Sequence, residues 1–188
     1  MLTLYGTKKS RAFRCLWMLE EAGVDYKLQH VAFTKGETQR TAHLRINPNG
    51  KVPVLVDGEC TIVESLAINL HLARNHAPQF WPAGRFAESD AYQWLAWAMG
   101  ELEGPHDAAN RSGTDVDSTA LDTSLVFLRR RLSSQAYIHG EQFSVTDLNT
   151  AAVLLRPQFR AVAFSDAHIK EWFNGCVHRP ALRRVMAD

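Results

Sequence analysis

The chain is short of cysteine, of net charge and of long apolar runs, and each shortage excludes something. Its 188 residues include three cysteines, Cys15, Cys60 and Cys176, lying far apart with no CxxC pair and no Cys/His cluster at zinc-ligand spacing. Neither a disulfide framework nor a zinc module is expected, and the usage suits a reducing compartment. Lys and Arg together number 21 against 20 Asp and Glu, a net charge of +1, so nothing general draws the chain to nucleic acid or to a membrane surface. No stretch approaches the roughly 18 consecutive apolar residues of a membrane span. The opening MLTLYGTKKS lacks the apolar core behind a basic start that marks a signal peptide. By elimination the expectation is a cytoplasmic globular protein, and a hydrophobic content of 46% is ample for a core.

Charge is not evenly spread. Residues 1 to 80 carry 10 basic against 7 acidic side chains, and residues 81 to 188 carry 11 against 13. Most of the early basic residues, Lys8, Lys9, Arg11, Arg14, Lys35, Arg40 and Lys51, read as a solvated surface.

Residues 1–76 alternate strand-like and helix-like runs, the pattern of an α/β layer. MLTLY reads as a strand; Ser10 can cap the helix RAFRCLWMLEEAG, which Gly23 ends. YKLQHVAF reads as a second strand, and TQRTAHLRI as a short helix halted at Asn47-Pro48. KVPVLVD and CTIVE follow, joined at Asp57-Gly58, a hairpin signal, and SLAINLHLARN reads as a helix. The order is β-α-β-α-β-β-α. Pro78, Pro82 and Gly84 punctuate a linker over 77–85, after which the periodicity is helical throughout 86–188. Helices are expected near 86–110, 116–134, 144–157, 168–178 and 180–187. FSVTDL marks one start well: Ser144 can accept the Asp147 N–H, Asp147 can reach back to the Ser144 N–H, and Phe143 can staple onto Leu148. His71 and His76, five apart, do not share a helix face, so no metal site is expected.

One stretch asks for more than sheet pairing. NPNGKVPVLVDGECTIVES puts Pro53 inside a strand-like run, where proline removes a ladder donor and belongs at an edge, a bulge or a cis bend. The stretch then stops on Glu64-Ser65, an ordinary helix start that also suits a carboxylate ligand, because first-turn N–H groups and a hydroxyl converge there.

In combination, LYGTKKSRAFRCLWMLEEAG, NPNGKVPVL, the closing ES of IVES, the capped FSVTDL and the late RPALRR resemble the cytosolic glutathione transferases, of the bacterial, serine-using type. The resemblance spans nearly the whole chain and implies a thioredoxin-like N-terminal domain followed by an all-helical C-terminal domain. It implies a homodimer that activates glutathione, as co-substrate and without a metal, for attack on a small electrophilic molecule in detoxification. The same fold also serves isomerases, dehalogenases, peroxidases and non-catalytic binding modules, and the physiological acceptor stays open. The chain is shorter than many members, and the shortfall lies in the helical half that shapes the acceptor pocket.

The resemblance also implies roles. Val52, ahead of a cis Pro53, would pair its backbone with the cysteinyl unit of glutathione. Glu64 and Ser65 would receive the γ-glutamyl end, Lys51 the glycyl carboxylate with Lys35 and Arg40 as looser candidates, and Glu101 would reach the neighbouring subunit's glutathione. Glu103 and His106 are candidate acceptor-pocket residues. Ser10, at the amino end of the first helix, is the expected thiol partner, with Tyr5 as its rival. Lowering a thiol pKa by two units needs about 2.7 kcal/mol, within reach of one charge-assisted hydrogen bond and a helix end. Cys15 reads as structural.

Overall fold

The computed structural model describes residues 1–187 and divides them into two compact units, 1–78 with the closing residues from Pro180 onward, and Gln79–Arg179. In the first unit, β1 (Leu2–Gly6) is a central strand because both its edges are used. It pairs in parallel with β2 (Tyr26–His30) and antiparallel with β3 (Val54–Asp57), and β3 pairs antiparallel with β4 (Cys60–Val63) in the order β2-β1-β3-β4. The alternation of LTLYG buries Leu2, Leu4 and Gly6 and leaves Thr3 and Tyr5 partly exposed, as a period of two requires. The hairpin turns through Gly58, whose φ of 58° is open to glycine at little cost.

Helix α1 (Ala12–Ala22) buries Cys15, Leu16, Trp17, Met18 and Leu19, and ends on Gly23 in the left-handed region. The short α2 (Thr41–Leu44) leads to the loop before β3, and α3 (Ser65–His76) packs beside α1. The Asn69 amide donates to the Arg14 carbonyl at 3.2 Å across that seam. Trp17 is fully buried, so its truncation to alanine would cost about 3–5 kcal/mol.

The last helix, α10 (Pro180–Ala187), departs from the expected 86–188 helical domain, for it packs with the first unit. Ala181, Leu182 and Val185 form its buried stripe, and the Arg184 guanidinium meets the Glu20 carboxylate at 2.7 Å and the Glu20 carbonyl at 2.9 Å on α1.

The second unit holds α4 (Ala87–Trp97), α5 (Gly104–Ser112), α6 (Ser118–Leu132), α7 (Val145–Leu154), α8 (Pro157–Ala163) and α9 (Ala167–Val177). The expected helix over 86–110 is interrupted by a π-helical segment, Ala98–Glu103. Pro105 supplies the reason: it has no N–H for the carbonyl four residues back and its ring crowds that carbonyl, so the ladder widens and the Gly104 N–H reaches Met99. The expected capping box is present at Ser144 and Asp147. The Asp147 carboxylate, fully buried, also accepts from the Ile138 N–H and the Trp172 indole N–H, each at 2.8 Å. The Phe143 ring meets Phe80 and Tyr137 edge-on and carries the Arg179 guanidinium over its face.

Candidate functional site

Within the first unit a cleft opens where the loop before β3 meets the junction of β4 and α3. Lys51, Val52, Pro53, Glu64 and Ser65 line it, with Arg11 from the start of α1 and Asn47 and Asn49 from the preceding turn. The Val52–Pro53 peptide is cis, and ladder pairing of β3 begins only at Val54. The Val52 N–H and C=O therefore take no backbone partner among the described residues.

The loop is held from behind. Asn47, almost fully buried, accepts the Asn49 N–H on its side-chain oxygen at 3.1 Å, the Asx turn that an Asn-Pro-Asn-Gly sequence favours. Its amide donates to the Lys51 carbonyl at 2.8 Å, and the buried His43 reaches the same carbonyl with Nε2 at 2.9 Å. An oxygen can only accept, so Nε2 carries the ring proton. Gln39 ties the Gly50 carbonyl at 3.2 Å. Three side chains thus fix the two carbonyls just ahead of Val52, while the Lys51 side chain stays exposed at the cleft.

Across the cleft, Glu64 has φ 68° and ψ 110°, the one positive φ at a non-glycine among the described residues. Such a conformation costs about 1–3 kcal/mol and is found clustered at active sites and ligand clamps. Its carbonyl still accepts the first helical bond of α3, from Ile68 at 2.8 Å. Its carboxylate is exposed and has no hydrogen-bond or ion-pair partner among the described residues. Ser65 is buried, at the amino end of α3, and its hydroxyl is likewise without a hydrogen bond among them.

Ser10 sits in the turn that feeds α1. Its hydroxyl donates to the Thr7 carbonyl at 2.8 Å and accepts from the Thr7 and Ala12 N–H groups at 3.3 and 3.2 Å. The N-cap position of α1 falls to Arg11, whose side chain makes no cap bond, and Ser10, expected there, takes the first helical N–H from one residue ahead. Two N–H donors on one oxygen also polarise the O–H bond and strengthen it as a donor. Gly6 shows where Ser10 lies: a Cβ built there would stand 3.4 Å from Ser10 Oγ and 3.6 Å from Val52 Cβ. The hydroxyl and the bend before Pro53 thus converge on one spot. Tyr5, one residue earlier, is partly exposed and its hydroxyl has no hydrogen bond among the described residues. Burial pushes the Cys15 thiol far up despite the Arg14 charge, and the thiol donates to the Ser65 carbonyl at 3.5 Å; it is a packing group.

The other sequence-predicted residues fall outside this cleft. Lys35 is exposed on a 3₁₀ turn, Phe33–Lys35, and Arg40 pairs with Glu37 at 3.8 Å. In the helical unit, Glu101 is exposed and accepts the Ser124 hydroxyl at 3.2 Å. Glu103 and His106 are both buried around Arg156, which meets Glu103 Oε1 at 3.0 Å and His106 Nδ1 at 3.0 Å. Burial, and then the Arg156 charge, hold the His106 imidazole below its usual pKa. Sequence reasoning missed Arg11 as a lining residue and His43 as a support. Neither carries a signal of its own, since a basic residue after a helix cap and a histidine in a short helix are both commonplace.

His71 and His76, expected on separate faces of the helix, come together. Both rings reach one oxygen of Asp57, Nε2 of His71 at 2.8 Å and Nε2 of His76 at 2.6 Å. The last turn of α3 is wider than an α-turn, with the Ala77 N–H bonded to the Leu72 carbonyl five residues back, and this swings residue 76 toward the face of residue 71.

Comparison with known proteins places these features in a family. The model for the glutathione S-transferase N-terminal domain matches residues 1–74, and that for the C-terminal domain matches residues 99–180. Glutathione S-transferase 4 of Zea mays is 32% identical over 190 residues, covering 92% of this chain and 85% of its own. Among solved structures, poplar glutathione transferase F1 superposes with a TM-score of 0.84 at 21% identity, over 99% of this chain and 96% of that one. A glutathione S-transferase-I bound with the ligand lactoylglutathione gives 0.75 at 28% identity, over 99% and 98%.

Proposed function

This chain belongs to the glutathione S-transferase family, and we propose that its cleft binds glutathione and that Ser10 holds the tripeptide's sulfur as a thiolate for attack on a small electrophile. The observation that carries the proposal is the convergence of Ser10 Oγ and Val52 beside Gly6. A peptide cysteine paired to the free Val52 backbone edge brings its sulfur toward that hydroxyl. On binding, the Ser10 proton turns from the Thr7 carbonyl to the sulfur, while the Thr7 and Ala12 N–H groups keep hold of the oxygen.

The remaining charges of glutathione have counterparts. Glu64 answers the γ-glutamyl ammonium, the Ser65 hydroxyl and the amino end of α3 answer the carboxylate beside it, and Lys51 answers the glycyl carboxylate. The thiolate then forms a sulfur–carbon bond to the acceptor as the leaving group departs with its electron pair. Lys35, Glu101, Glu103 and His106 stay in this reading as outlying positions, Lys35 for glutathione and the other three around the acceptor and the dimer partner. The working form is a cytoplasmic homodimer, and the second substrate is a small, largely apolar electrophile.

Calorimetric titration with glutathione, followed by conjugation of a generic aryl halide, tests the proposal. Wild type is expected to bind and to turn over. Ser10→Ala is expected to bind within a few-fold of wild type and to lose about two orders of magnitude in turnover, the equivalent of about 2.7 kcal/mol. Equal turnover in Ser10→Ala would remove the hydroxyl from the mechanism.

A further inference from the structure

The Asp57, His71 and His76 cluster lies at the far end of the elements that begin at the cleft. Asp57 ends β3, which starts beside Pro53, and the two histidines occupy the last half of α3, which starts at Ser65. We propose that these three side chains form a binding site for a divalent transition metal of the zinc type, with His71 Nε2, His76 Nε2 and an Asp57 carboxylate oxygen as ligands.

Four observations support the assignment. The three donor atoms all lie within 4.8 Å of one another, and each side chain keeps only about a quarter of its surface in solvent, between 22 and 27%. The rings are presented as separate ligands, with centroids 5.9 Å apart and planes at 56°. The backbone is fixed on both sides: Asp57 is laddered to Leu2 and to Cys60, and the widened turn at Leu72–Ala77 sets the relation of the histidines. Two imidazoles and one carboxylate are the donor set of three-ligand zinc sites, which keep a fourth position for water.

The geometry needs little change. Tetrahedral ligands about 2.0 Å from zinc are about 3.3 Å from one another. The two N···O gaps, now 2.8 and 2.6 Å, would open by about 0.5–0.7 Å. Metal binding displaces the Nε2 protons, so each ring must carry its proton on Nδ1 and find an acceptor there. Asn75 is poised for this at His71: its side-chain amide stands 3.1 Å from His71 Nδ1 and 3.0 Å from the His71 carbonyl. A half-turn of that amide offers its oxygen to an Nδ1–H, at the cost of the N–H it now donates to the His71 carbonyl. Without the metal, Nε2–H of each ring donates to the carboxylate, and His71 followed by His76 holds the Asp57 carboxyl below its usual pKa range.

The metal would staple the β3–β4 hairpin to the end of α3. It would act on stability and take no part in thiol chemistry, so the proposal stands apart from the reading of the cleft. The test uses the full chain stripped with chelator and kept free of glutathione, whose own thiol binds zinc. Titration with zinc chloride is expected to show one ion per chain and a rise in unfolding temperature, while magnesium chloride gives neither. His76→Ala and His71→Gln should each weaken zinc binding at least a hundredfold, Asn75→Ala about tenfold, and Cys60→Ser should leave it unchanged. Absence of stoichiometric zinc uptake by the wild type would overturn the proposal, with no variant needed. Uptake that survives in both histidine variants, or is lost in Cys60→Ser, would overturn it equally by moving the ion elsewhere.

Discussion

Glu64 offers a test in which stability and function should move in opposite directions. Its φ of 68° and ψ of 110° fall outside the basins open to side-chain-bearing residues, at a cost of about 1–3 kcal/mol. Glu64→Gly removes that cost and adds about 0.5–1 kcal/mol of unfolded-state entropy, leaving a net gain of up to about 2.5 kcal/mol. For a chain of 188 residues a gain of 1 kcal/mol corresponds to about 2–4 °C in Tm. Glu64→Ala is the control, because it loses the same carboxylate but keeps a Cβ in the strained conformation. The carboxylate is exposed and has no partner of its own among the described residues, so the alanine variant should unfold within about 0.5 kcal/mol of wild type. Urea unfolding of the glutathione-free protein reads both variants. Both should lose about ten- to a hundredfold in glutathione affinity by calorimetry, as expected for one charge-assisted contact. A glycine variant no more stable than the alanine variant would show that the backbone is not strained. Undiminished affinity in both would take Glu64 out of the site.

Other perturbations have signs set by the structure. In Gly6→Ala the new methyl would stand 2.6 Å from Ala12 Cβ at a φ of 150°, so a loss of about 2–5 kcal/mol in urea unfolding is expected. Asp147→Ala strands the Ile138, Ser144 and Trp172 N–H groups in the interior, and at about 1–3 kcal/mol each the loss should be at least about 3 kcal/mol; Asp147→Asn, which keeps one acceptor, should lie between. Burial holds His139 below its usual pKa despite Asp90 at 3.1 Å, and burial with Arg156 does the same to His106. The unfolded chain therefore takes up these protons first as pH falls. The stability from both groups is fully present above about pH 6.5 and is lost below it. His139→Gln should flatten that acid limb when the urea midpoint is followed against pH.

Local chemistry was the legible part of the fold. The Asn47-Pro48-Asn49-Gly50 turn, the Asp57-Gly58 hairpin and the Ser144–Asp147 capping box each depend on a few adjacent residues, and each is found where its residue types predict. Positions defined by distant partners were not legible. The return of α10 to α1 buries Ala181, Leu182 and Val185 and brings Arg184 to Glu20, a contact across 164 residues that no window of sequence contains. His43 supports the Lys51 carbonyl through a bond that its short helix does not announce. The two histidines of α3 were separated by the assumption of regular helical spacing, and the widened last turn removes that assumption. Val52, Pro53, Glu64 and Ser65 line one cleft, and Arg11 joins them without having been singled out.

The central claim is that the Ser10 hydroxyl stabilises the bound sulfur as a thiolate, and the pKa of that sulfur measures it most directly. Ultraviolet absorbance of the thiolate, followed against pH in the glutathione complex, should give a value about one to two units below the roughly 8.5 of an unperturbed thiol. Ser10→Ala should return the value most of the way to 8.5, and Tyr5→Phe should leave it where the wild type has it. A shift that persists in Ser10→Ala, or that vanishes in Tyr5→Phe, would contradict the account.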